Sequence, residues 1–241
     1  LSKISMSKLR KLRKDFQIMF QDPYGSLNPR MMAGQIISEG LISQKIARKR
    51  SERDNIVKEL MERVGLDPMM INRYPHEFSG GQRQRIGIAR FLALNPKFVV
   101  CDEVTSALDV SVQAQILNLL KNLQREEKLS YLFITHNLSV VSYIAERTAV
   151  MYLGRIVERG TVQEVFETPR HPYTKALLAA SPRIGEDGRE KILLEGDVPS
   201  PINPPQGCYF HPRCPKVMPK CKEHYPGQSK FSETHFMNCW L

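Results

Sequence analysis

The apolar positions fall into short strand-like runs separated by longer stretches with a helical period. Phe16-Gln17-Ile18-Met19-Phe20 reads as a short strand, closed by the turn signals Asp22-Pro23 and Asn28-Pro29. From Ala33 to Val64 the pattern is helical, with charged faces and no proline, until Asp67-Pro68 breaks it. Asn72 to Ser79 is a loop leading to Gly80-Gly81. Gln82 to Leu94 reads as a helix whose apolar face is Ile86, Ile88, Ala89, Leu92 and Ala93, stopped by Asn95-Pro96. Lys97 to Cys101 is then an apolar strand of the kind buried on both faces of a parallel sheet. Val110 to Glu127 is a long amphipathic helix, Tyr131 to Thr135 a second buried strand, and Leu138 to Glu146 a helix. Ala149 to Tyr152 and Arg155 to Glu158 form a hairpin around Leu153-Gly154. Strand and helix in alternation predict an α/β fold with a mainly parallel sheet.

After Ser181 the pattern changes. Nine prolines from Pro182 to Pro226 mark an irregular tail, which puts a boundary near residue 183. At roughly 150 residues per domain, 241 residues make one to two domains. The longest apolar runs, Ala149–Leu153 and Ala176–Ala180, are far shorter than the roughly 20 residues of a membrane-spanning helix. The basic start, residues 1–14, lacks the apolar core of a signal peptide. The opening Leu1 reads as mid-chain, so a fragment is expected.

Charge adds a question about partners. Lys and Arg number 35 against 25 Asp and Glu, a net +10. The cations cluster at Lys3, Lys8, Arg10, Lys11, Arg13 and Lys14, and again at Lys45, Arg48, Lys49, Arg50 and Arg53. Such clusters suit phosphates, nucleic acid or a membrane surface, and equally a solvated helix face.

Four segments carry candidate chemistry. Phe98 to Cys101 runs into Asp102-Glu103, and ligands of nucleotide-binding sheets sit at such strand ends. There one carboxylate can hold Mg2+ and a second can deprotonate a water, although acidic residues after a strand also serve as helix caps. Ser79-Gly80-Gly81-Gln82 opens a helix, where backbone N–H groups bind anions; a capping serine on a flexible turn gives the same sequence. His136 ends the strand after Thr135, and Ser106-Ala107-Leu108-Asp109 follows the acidic pair.

In this order the segments resemble the ATPase domain of ABC transporters. The resemblance implies a P-loop NTPase-type fold with a helical subdomain at about 31–94, a partial nucleotide-binding domain at 1–182 and a Pro/Cys-rich extension at 183–241. It implies that Gln21 is the Q-loop residue, Ser79 to Gln82 the signature motif and Asp102 the Walker B carboxylate for Mg2+. Glu103 is then the general base, Asp109 part of the D-loop and His136 the switch histidine. Gln21-Asp22-Pro23, Tyr74-Pro75-His76-Glu77-Phe78 and His171-Pro172-Tyr173-Thr174-Lys175-Ala176-Leu177-Leu178 are similar to the ATP-binding subunits of oligopeptide, dipeptide and nickel importers. ATP and Mg2+ are the implied cofactors. The implied partners are permease subunits, a second ATPase subunit and, indirectly, an extracytoplasmic binding protein. The implied place is the cytoplasmic face of the membrane, and nucleic acid is not an expected partner.

Two features qualify that resemblance. The 241 residues contain no Gly-Lys dipeptide and so no P-loop. The domain is therefore expected to be incomplete at its N-terminus, and these residues alone to show negligible ATPase activity. The alternative is a non-catalytic half-domain presenting its signature motif to a partner ATPase. The second feature is Cys208-x5-Cys214-x6-Cys221-x17-Cys239, four thiols within the last 34 residues. They can ligate a [4Fe–4S] cluster or Zn2+; the C-x2-4-C pairs usual for zinc are absent, and resemblance to the peptide importers favours the cluster. Cys101 reads as packed core.

Overall fold

A computed structural model describes residues 4–180 and 194–241. The backbone groups into two units, residues 1–136 and 137–241. The boundary expected near residue 183 lies outside the described residues.

The first unit is built on three parallel strands in the order β1 (Phe16–Met19), β2 (Phe98–Asp102), β3 (Ser130–Ile134). Around them run α1 (Met6–Leu12), α2 (Pro23–Ser26), α3 (Ala33–Ser43), α4 (Arg50–Arg63), α5 (Gly80–Leu92) and α6 (Val110–Glu127). Helix α1 was not anticipated; its sequence, MSKLRKL, buries no residue. One face of the sheet is dry: Met19, Val99 and Cys101 are buried together with Ile86, Ile88 and Ala89 of α5 and Ile116, Leu120 and Leu123 of α6. The strands were expected to be buried on both faces, yet Ile18, Phe98, Leu132 and Ile134 on the opposite face are exposed.

The helical stretch read as one element from Ala33 to Val64 is two. Lys45 takes φ +57°, the Ile46 N–H bonds the Leu41 carbonyl at 2.9 Å and the Lys45 N–H bonds Ile42 at 3.1 Å. That is the Schellman closure of a helix, made here by a lysine where glycine is usual. Helix α5 begins two residues earlier than expected because Ser79 caps it. The Ser79 Oγ accepts from the Gln82 N–H, and the Gln82 side chain accepts from the Ser79 N–H at 2.9 Å. It ends at Leu92, where the chain tightens into i→i+3 bonds and Asn95 turns to φ +47°.

The second unit holds α7 (Leu138–Ile144), β4 (Arg147–Tyr152), β5 (Arg155–Thr161), α8 (Val162–Glu167), α9 (Pro172–Ala179), α10 (Pro219–Glu223), β6 (Gln228–Lys230) and β7 (Phe236–Asn238). Its sheet is antiparallel throughout, in the order β4-β5-β7-β6, which corrects the expectation of a mainly parallel fold. For β4 and β5 the cause is the hairpin read from the sequence: a two-residue turn at Leu153-Gly154, both with φ > 0, allows only antiparallel pairing. The tail expected to be irregular returns as the β6–β7 hairpin, with β7 paired to β5. Val150, Tyr152, Val157, Val165 and Phe210 form the core, with the Tyr152 and Phe210 rings edge to face at 5.2 Å. Among the described residues no helix is long and apolar enough to cross a membrane.

Candidate active site

The site in the first unit follows from the register of its sheet. Met19, Cys101 and Phe133 stand side by side in β1, β2 and β3. Gln21, Glu103 and His136 come two or three residues later, so three chain segments leave the sheet at the same edge.

There they meet. The Gln21 Nε2 donates to Glu103 Oε2 at 2.5 Å, and His136 Nδ1 stands 2.9 Å from Glu103 Oε1. One carboxylate is thus gripped on both oxygens by groups 82 and 33 residues away in sequence. The Glu103 side chain is 24% exposed and that of His136 73%, so the trio opens to solvent.

The backbone is shaped to aim that carboxylate. Glu103 has φ +47°, a conformation that costs a non-glycine residue on the order of 1–3 kcal/mol. The surroundings hold it: its N–H bonds the Ile134 carbonyl at 2.9 Å, and its own carbonyl accepts from the Ser106 N–H at 3.1 Å and the Ser106 Oγ at 2.9 Å. Asp102 closes β2 opposite Ile134 and is half-buried. Its carboxylate and the Gln21 amide oxygen are hard oxygen donors of the type Mg2+ takes.

Helix α5 carries the second set of residues, and its first N–H groups, at Gly80 and Gly81, have no partner within the helix ladder. Gly81 is required by packing: a Cβ there would lie 2.5 Å from Val112 Cγ1 of α6. Asp109 caps α6, accepting from the Val112 N–H at 2.9 Å and the Ser111 hydroxyl at 2.7 Å; these bonds, the Val112 N–H foremost, hold its carboxyl below the usual range. Asp109 therefore acts on the α6 terminus, and Ser79 and Gln82 on the α5 terminus, while Gln21, Glu103 and His136 form one cluster.

Sequence reasoning missed two residues around this cluster, Arg90 and Gln84, and named Ser106 only within the segment that follows the acidic pair. Arg90 Nη1 donates to the Ser26 carbonyl at 2.8 Å, anchoring the segment after Gln21 to α5. Ser106 steadies Glu103, as above. Gln84, 2% exposed, donates to the Val104 carbonyl at 2.6 Å. A polar residue in a helix read as amphipathic gives no sign that it points inward.

In the second unit Cys208, Cys214, Cys221 and Cys239 are free thiols. Burial raises Cys208, Cys214 and Cys239, and their interactions with one another and with Cys221 raise them further. Opposing this, backbone N–H groups of Phe210, Lys216, Leu241 and Trp240 bond three of the sulfurs. The four expected metal ligands are gathered but do not form a ligand shell: among the described residues no three His, Cys, Asp or Glu groups are placed to hold a metal ion. Burial favours the neutral thiols of Cys208, Cys214 and Cys239, which have no attraction that would draw the sulfurs into contact.

Comparison with known proteins agrees with the order of these elements. Residues 2–106 match the ABC transporter family, and residues 157–221 match the C-terminal region of the oligopeptide/dipeptide transporter family. The chain is 51% identical to the oligopeptide transport ATP-binding protein AppF of Bacillus subtilis, covering 100% of this chain and 74% of that protein. It is 54% identical to the dipeptide transport ATP-binding protein DppF of Haemophilus influenzae, covering 95% and 70%. Among solved structures it is similar to cbiO1 of Clostridium perfringens, part of the ABC transporter complex cbiONQ. That likeness has a TM-score of 0.60 at 29% identity and covers 68% of this chain and 64% of the other. It is also similar to the ATP-binding cassette MJ0796, in a dimeric post-hydrolysis state bound to ADP and Pi. Here the TM-score is 0.57 at 30% identity, with 66% and 68% covered.

Proposed function

Because the chain belongs to the ATP-binding subunits of oligopeptide and dipeptide ABC transporters, we propose that it is the ATP-hydrolysing, energy-coupling subunit of a peptide importer. The observation that carries the chemistry is the two-sided grip on the Glu103 carboxylate by Gln21 and His136.

In this reading Glu103 accepts the proton of the water that attacks the γ-phosphate, and His136 and Gln21 hold the carboxylate in line. Asp102, with the Gln21 amide oxygen, would hold Mg2+, which would supply positive charge against the developing phosphate charge. Ser79, Gly80, Gly81 and Gln82 open α5 toward the nucleotide of a second ATPase subunit, as a helix N-terminus suits an anion. Asp109 fixes the α6 terminus against which Gly81 packs. The subunit works on the cytoplasmic face of the membrane with permease subunits and, through them, an extracytoplasmic binding protein.

The test is reconstitution. The full-length subunit in liposomes, with its permease, second ATPase and binding protein, is expected to give ATP-dependent uptake of labelled peptide. Uptake of nickel in place of peptide would overturn the cargo.

The tail is proposed to hold a [4Fe–4S] cluster through Cys208, Cys214, Cys221 and Cys239, with Zn2+ the alternative. Four thiols within electrostatic reach, three of them met by backbone N–H groups, support this; such bonds stabilise thiolate ligands. The cluster would staple the proline-rich tail, and no step of hydrolysis depends on it. Anaerobically purified protein is expected to contain iron and sulfide in about equal amounts. Stoichiometric zinc without sulfide would replace the cluster with zinc, and neither would leave the thiols as packing groups.

A further inference from the structure

We propose that Gln84 is a positioning residue for hydrolysis, tying the helix that faces one nucleotide to the general base that serves the other. The inference deepens the function proposed above and rests on Glu103 being the base.

Gln84 lies on α5, five residues beyond the capping Ser79, and is buried at 2% exposure. Its Nε2 donates to the Val104 carbonyl at 2.6 Å. Val104 follows Glu103 directly and is itself buried. At this point β2 has ended and α6 has not begun, so no ladder supplies a donor for that carbonyl. A buried carbonyl needs one, and the Gln84 amide provides it.

The bond completes a frame around Glu103. Upstream, the Glu103 N–H is held by the Ile134 carbonyl of β3; within the turn, Ser106 holds the Glu103 carbonyl; downstream, Gln84 holds the next carbonyl. A residue at φ +47° keeps that geometry only while its neighbours fix it. Of the three residues that hold the turn, Ile134, Ser106 and Gln84, only Gln84 comes from α5.

Its neighbours on α5 face elsewhere: Arg83 Nε bonds the Pro75 carbonyl at 2.8 Å and Arg85 bonds the Val64 carbonyl. Arg85 also reaches Gln115 of α6 at 3.2 Å, whereas the Gln84 bond ends on the Glu103 turn itself. Movement of the α5 terminus against a partner's nucleotide therefore has a direct hydrogen-bonded path to this subunit's base through the buried Gln84 side chain.

Two substitutions test this in the assembled, reconstituted transporter. Gln84→Met keeps the volume and removes the donor. It is expected to lower kcat about ten- to a hundred-fold, the scale of a misplacement of about 1 Å, while KM for ATP changes by less than about two-fold. Gln84→Glu keeps the shape and donates only when protonated, which burial favours near neutral pH. It is expected to keep most of the wild-type rate near pH 6.5 and to lose it toward pH 9, a limb absent from wild type and from Gln84→Met.

Wild-type kcat in Gln84→Met, a change confined to KM, or a wild-type pH profile in Gln84→Glu would overturn the inference. Glu103→Gln, measured alongside, separates the two levels. If it turns over normally, the premise is wrong and the inference falls with it. If it is inactive while Gln84→Met is unimpaired, only the role of Gln84 fails.

Discussion

Glu103→Gln in the assembled transporter is expected to cut ATP turnover by about a hundred- to ten-thousand-fold while leaving ATP binding unchanged. The substitution is nearly isosteric, so the frame around residue 103 survives. The Gln21 Nε2 can still donate to an amide oxygen, and the His136 ring can accept from the new amide NH2 in its other tautomer. What is lost is the proton acceptor. Equal affinity with much slower turnover is the signature of a group used only in the transition state. Nucleotide binding by filtration and phosphate release under single-turnover conditions measure the two halves separately. Turnover within a few-fold of wild type would remove Glu103 from the chemistry. A parallel loss of ATP binding would make it a structural residue.

The convergence on Glu103 was legible because the sheet is parallel. Gln21, Glu103 and His136 each follow an apolar run, and parallel strands in register put such residues at one edge. Knowing three strands and their polarity was enough, although 82 residues separate Gln21 from Glu103. The capping role of Ser79 was open beside the anion-binding one, and the structure contains the cap. Other features had no local signal. Lys45 closes α3 in a conformation that normally advertises itself with glycine. Strand β7 holds only Phe236, Met237 and Asn238, too short for an alternating pattern, and it gains its place by pairing with β5. Gln84 is an ordinary polar residue in sequence; only the backbone turn at Glu103 gives it a carbonyl to hold.

The second unit is expected to lose stability between about pH 6.5 and pH 4 because of His171. Its imidazole is 1% exposed and caps α9, where its Nδ1 accepts from the Tyr173 N–H at 3.1 Å. Burial pushes it down to about 4, opposed by the nearby Glu158 carboxylate. The neutral ring is what the fold accepts, so the unfolded chain binds the proton first, near pH 6.5, and the folded chain only near 4. Stability is then complete above pH 6.5 and falls as the pH drops, by on the order of 3 kcal/mol across the window and about 2 kcal/mol by pH 5. Two carboxylates of the same unit are also hydrogen-bonded. Glu158, buried, accepts from the His171 N–H at 2.9 Å, the Arg170 N–H at 2.7 Å and the His235 ring at 2.7 Å. Glu164 is held down to about 2, chiefly by the Ser232 hydroxyl, and its contribution disappears only in a lower window, between about 4.5 and 2. His171→Asn separates these contributions. Asparagine caps helices well and does not titrate, so the variant starts less stable at pH 7, having lost packing against Phe210. Its urea midpoint, followed by the fluorescence of Trp240, the chain's one tryptophan, is then expected to change much less between pH 7 and pH 5 than that of wild type. An equal slope in both proteins would remove His171 as the source of the acid sensitivity.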